Sequence, residues 1–200
     1  YLKEHSKEKN YKINDLKKKT YLKRRIKSTN SNFYKKGIHY FEKGDYFEAI
    51  HYFLNYLSQK QNSFVNPDQT NQINLLTGYS YLFLGMKSKK EDFLEKSKKY
   101  FLRLYQNLSR RHEYYCKTVI GLARSSRKLS EYDDGVDILL KECLVRTNGN
   151  IKRHLYLELG YFYFDKKDIE KSLSYFQKSR LSIANQKIFE ILLDKEGTSL

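Results

Sequence analysis

The side chains able to do chemistry are few in this chain, and their spacing decides what they could do. Five histidines (His5, His39, His51, His112 and His154) show no i, i+4 pairing with one another. That pairing would put two ligands on one helical face, so a metal site would need assembly by the fold. Cys116 and Cys143 form no CxxC pair and are too few for a disulfide framework. They come from the start of one helix and the end of the next in a hairpin, which lets them be neighbours. Helix axes pack 8 to 10 Å apart, beyond ordinary disulfide reach, so buried free thiols are expected. Glu131, Asp133 and Asp134 sit at a helix start and read as charge placement at an N-terminus, not as an acid/base pair. No phosphate-binding glycine loop, HExxH pair, GxSxG elbow or dinucleotide fingerprint occurs. The expectation is a protein that is not an enzyme, with no metal and no cofactor.

The elements that carry these residues are helical. The 200 residues hold 40% hydrophobic and 16% aromatic side chains, too many for a disordered chain, while one proline and nine glycines are too few for a turn-rich sheet protein. The all-α class follows. The longest weakly charged stretch, Ile73 to Met86, is too short and too polar to span a bilayer. The chain opens on Tyr1, not methionine, which raises the expectation of an upstream signal or anchor and, with it, a slight lean toward a membrane-associated or cell-envelope location, with the cytoplasm as the alternative.

The net charge of +16 suggests nucleic acid or an anionic surface, but the chain is also rich in Lys, Asn, Ile and Tyr and poor in Ala. An AT-rich genome imposes that bias, so part of the charge carries no functional meaning. Half of it lies in Tyr1 to Ser28, where eleven Lys or Arg face Glu4, Glu8 and Asp15. Residues 1–29 read as a basic arm, flexible or partly helical. It is either a solvated tail or a binder of acidic lipid headgroups, phosphates or an acidic partner.

From residue 30 the pattern changes and repeats. Gly37 is followed twelve residues later by Ala49 and four later by Phe53; Ala123, Gly135 and Leu139 keep that spacing, as do Gly160, Ser172 and Phe176. Gly78, Ser97 and Phe101 form a fourth set with seven extra residues between the helices, in the Met86 to Leu94 region. Small residues at matching heights let two antiparallel helices approach, and the large residue fills the space beside them. Helical hairpins are expected at about 30–60, 71–108, 114–146 and 151–182. In 183–200, Ile183, Ile188, Ile191 and Leu192 recur at helical spacing, as a capping helix would have them.

This pattern resembles the tetratricopeptide repeat family. Tyr40, Tyr81 and Tyr163 lie three residues after the small residue, Gly44 and Gly85 lie in the turn, and Tyr46 and Tyr132 begin the second helix. Ser126 replaces the tyrosine in the third copy, and the proline that often closes a repeat is absent.

The resemblance implies a right-handed superhelix whose concave surface holds a segment of a partner protein. Carried over residue by residue, the groove would present Tyr34, Ile38 and Phe41, then Leu75, Tyr79 and Leu82, and in the fourth copy Leu157, Tyr161 and Phe164. The third copy would add a basic stripe of Lys117, Arg124 and Arg127, with Lys128 beside them and Arg110 and Arg111 just before. The implied partner is a peptide or helix with apolar anchors and some acidic residues. The family's Lys and Asn clamp for a terminal carboxylate is not reproduced in the first two copies. Two alternatives stay open: a groove filled by the chain's own arm or terminal helix, and electrostatic binding of nucleic acid or an anionic membrane through the arm and the stripe.

Overall fold

The computed structural model describes residues 32–59, 66–131 and 134–197, and the basic arm lies outside them. The described residues are all-helical: α1 over 32–42, α2 (Tyr46–Ser58), α3 (Pro67–Ser88), α4 (Glu91–Asn107), α5 (Tyr115–Lys128), α6 (Asp134–Arg146), α7 (Gly149–Asp165), α8 (Ile169–Ser179) and α9 (Ser182–Gly197). No strand occurs among the described residues, and no helix is long and apolar enough to cross a membrane. The chain divides into two compact units, Tyr1–Ile73 and Asn74–Leu200, with the boundary inside α3.

In the first unit, α1 and α2 are joined by a turn in which Gly44 takes φ +77°, a left-handed conformation that favours glycine. Asp45 then caps α2 by accepting from the Glu48 amide at 3.3 Å. Gly37 lies against the Phe53 ring so closely that a Cβ there would collide with it. Tyr40 stacks on Tyr52 with centroids 5.3 Å apart.

The second unit repeats those devices. Gly78 meets Phe101, and Gly160 meets Phe176. Where the first hairpin has Ala49, these two have serine, and the hydroxyl is satisfied: Ser97 donates to the Gly78 carbonyl and Ser172 to the Gly160 carbonyl, each at 2.9 Å. Tyr81 stacks on Tyr100 and Tyr163 on Tyr175, at 5.7 and 5.4 Å. The residue before each wedge phenylalanine is thus the partner of the repeat tyrosine. Asp168 caps α8 as Asp45 caps α2, accepting from the Lys171 amide at 3.2 Å.

Two expectations need correction. The extra residues of the second copy do not make a loop, because α3 runs on to Ser88 and α4 starts at Glu91. Gly85 therefore lies inside α3, against Leu94, and the left-handed turn residue is Lys89. The cysteines are not free thiols either: Cys116 and Cys143 are joined in a disulfide. Helices α5 and α6 converge at this end, which brings the two Cα atoms to 5.6 Å, inside the range a disulfide spans.

The third hairpin lacks the other devices. Ser126 stands in place of the tyrosine, Ile138 in place of its partner is exposed, and Gly121 of α5 packs on Phe101 of α4 instead of on α6. Helix α9 lays Ala184 and Ile191 against Leu157 and Phe176, with Ile188 partly buried beside them. That buried face has 0, 4, 7 spacing from Ala184, so Ile183 and Leu192 fall off it and are exposed.

Candidate functional site

On α1 the three candidate side chains are half-buried. Tyr34 donates its hydroxyl to Gln72 Oε1 at 2.6 Å and tilts against Tyr56; Phe41 sets its ring edge-on to Tyr46. Ile38 lies one turn from each.

In the second unit the candidates separate into two groups. Leu75, Leu82 and Leu157 are buried core residues, at 4%, 0% and 4% exposure, and offer no surface to a partner. Assigning them to the groove misjudges how much of each first helix its neighbours cover. The others lie around one carboxylate that the sequence reading did not single out. Glu158 of α7 is 2% exposed and accepts from Arg124 Nε of α5 at 2.5 Å. Arg127, one turn on, places Nη2 at 3.5 Å from the other carboxylate oxygen. A buried carboxylate is tolerated only with such partners, so the stripe on α5 and the acid on α7 require each other. A lone Glu in a run of apolar residues, Leu155 to Leu159, was the available signal.

The rest of the cluster follows from this pair. Arg124 Nη2 also meets His154 Nδ1 at 3.1 Å, a contact that needs an unprotonated ring nitrogen. Burial, and next the Arg124 charge, lower the His154 pKa. Burial works against the Arg124 charge, but the charge and hydrogen bond of Glu158 outweigh it and the pKa is raised. Tyr79 of α3 donates to the Lys117 carbonyl at 2.7 Å and packs edge-on to Phe101; burial raises its pKa. Lys117 itself sets Nζ over the Tyr114 ring. Tyr161 of α7 lies beneath the Arg127 guanidinium, 4.0 Å from ring centre to central carbon. Phe164 is half-buried beneath Lys187 of α9 at 4.3 Å, so α9 partly covers the fourth-copy candidates.

Arg124 pairs its Nε with Glu158 and its Nη2 with His154. The Arg127 Nε–H is buried without an acceptor among the described residues, and its contact with Glu158 is long. Beside it, where Ser126 is too short to fill the space a tyrosine would take, α5, α6 and α7 leave a cavity of about 20 Å³ walled by Ala123, Val136, Leu140 and Phe162. No group of three or more metal-ligating side chains occurs among the described residues. His112 stands four residues before Cys116, but Cys116 is committed to its disulfide.

No family model matches the chain, and no curated protein matches it. The repeat reading rests on the recurring spacing and on the packing that spacing produces.

Proposed function

We propose that the protein is a non-enzymatic scaffold of tetratricopeptide-like hairpins that holds a segment of a partner protein across its first helices. One observation supports this most: Tyr79, Arg124, Arg127 and Tyr161, contributed by the first helices of three consecutive hairpins, gather around Glu158. A cluster that spans successive repeats has the extent a bound peptide or helix needs, and its parts have different roles. Arg124, Glu158 and Tyr79 hold the helices in register through buried bonds. Arg127 and Tyr161 are half-buried, an aromatic face with a cation laid on it that keeps part of its surface exposed. The matching ligand feature is a carboxylate beside an apolar or aromatic anchor, with burial giving affinity and the ion pair giving orientation.

The test is affinity capture at physiological salt with the wild-type chain and with the double variant R127A/Y161A, whose helicity is checked first. Glu158 keeps Arg124 in that variant. A protein held by wild type and lost by the variant supports the reading. Equal retention of the same proteins by both contradicts it.

A further inference from the structure

The second unit carries its basic charge at one end. Successive helices alternate in direction: Tyr105 packs on Tyr115 across the α4–α5 joint, the disulfide ties the start of α5 to the end of α6, and Gly160 meets Phe176 in antiparallel α7 and α8. The joints between hairpins therefore share one end, and the turns within hairpins share the other. Residues 108–114, 145–154 and 177–184, at the first end, hold seven Lys or Arg and one acid, Glu113. Residues 85–93, 127–131, 134–136 and 164–172, at the second, hold eight Lys or Arg and seven Asp or Glu. Genomic composition acts on both ends alike and cannot polarise them.

The cations of the basic end are arranged by joint. Arg110 and Arg111 lie before α5, Arg146, Lys152 and Arg153 around the start of α7, and Lys178 and Arg180 before α9; all but the half-buried Lys152 are exposed. Glu142, one turn inside α6, takes Arg110 at 3.3 Å and Arg146 at 2.9 Å, so one acid serves two cations. Gathering like charges this way costs free energy through repulsion unless a polyanion meets them. The same end exposes two aliphatic side chains, Val145 at 89% and Ile183 at 51%, and no fully exposed aromatic ring among its described residues. Aliphatic tips set among cations suit a lipid headgroup layer, where the tips enter the apolar boundary and the cations meet phosphates. Single-stranded nucleic acid would favour exposed rings for base stacking.

We propose that this end of the second unit docks on an anionic lipid surface. The surface adjoins the Glu158 cluster at His154 but uses none of the cluster's cations, Arg124 and Arg127.

The experiment is co-sedimentation of the full chain with phosphatidylglycerol-containing vesicles and with neutral phosphatidylcholine vesicles at physiological salt. Two variants of equal net charge are compared: R110Q/R111Q/R153Q/R180Q at the proposed end, and K87Q/K90Q/K128Q/K166Q at the other. Circular dichroism verifies that both fold. The expected result is binding of wild type and of the second variant to the anionic vesicles only, with the first variant at least tenfold weaker. Equal weakening of both variants would mean that net charge alone acts, and would overturn the proposal. So would failure of wild type to bind anionic vesicles, or a first variant that loses a duplex DNA fragment while keeping vesicle binding.

Discussion

The Arg127 guanidinium lies 4.0 Å above the centre of the Tyr161 ring while one of its nitrogens reaches toward the Glu158 carboxylate at 3.5 Å. One residue thus belongs both to a buried ion cluster and to a half-buried aromatic contact.

Glu158 is the anchor of the cluster. Replacing it with alanine leaves Arg124 partly buried without its carboxylate, and removing one partner of a buried pair costs about 3 to 5 kcal/mol. Denaturant unfolding of E158A should show a loss of that order. A loss under about 0.5 kcal/mol, the scale of an ordinary surface change, would mean that the cluster does not hold α5 to α7.

His154 gives the cluster a pH dependence. Burial and Arg124 hold its pKa below 6.5, so the folded protein favours the neutral ring. As pH falls from 6.5 toward the lowered value, the unfolded chain takes up a proton that the folded chain does not, and this contribution to stability is lost. It is fully present above 6.5. Unfolding measured from pH 7.5 to 5 should fall off more steeply in wild type than in H154N; parallel profiles would refute this.

Reduction of the Cys116–Cys143 disulfide should destabilise the second unit by about 3.5 kcal/mol, given a separation of 27 residues. The third hairpin should feel it most, because it lacks the tyrosine pair and the glycine–phenylalanine wedge of the others. Hydrogen exchange with and without reductant checks this: protection should drop first in α5 and α6. Uniform loss across α3 to α9, or none, would count against a local staple.

Gly160 should not tolerate a methyl group. The Cβ of G160A would meet the Phe176 ring, an overpacking that costs about 1 to 3 kcal/mol. At Gly44 the space is open but φ is +77°, so G44A should cost about 1 kcal/mol through backbone strain alone. Comparing both variants by thermal unfolding separates packing from conformation.

The helices themselves were legible because packing against one partner imposes a fixed spacing. Gly37, Gly78 and Gly160 with their phenylalanines read directly as close helix contacts, and the serines bonded to Gly78 and Gly160 explain why a polar residue can replace alanine there. Burial by a third helix was not legible. Leu82 and Leu157 have the same type and spacing as a groove residue would, and only the approach of neighbouring helices makes them core. Glu158 was hidden for the same reason, since its partners stand more than thirty positions earlier in the chain. The disulfide depended on the convergence of α5 and α6, which no local pattern encodes. Gly85 looks like a turn residue because glycine suits a left-handed conformation, whereas Lys89 adopts that conformation here.

The central claim, that a partner segment lies across the first helices beside Arg127 and Tyr161, is tested most directly by site-specific photo-crosslinking in cells that express the full chain. A photoreactive phenylalanine analogue is placed at Tyr161 and, as a control, at Ile138, exposed on the second helix of the third hairpin. A discrete adduct with a protein is expected from position 161 and none from position 138. Adducts from 138 alone, the same adducts from both, or none from either would contradict the claim.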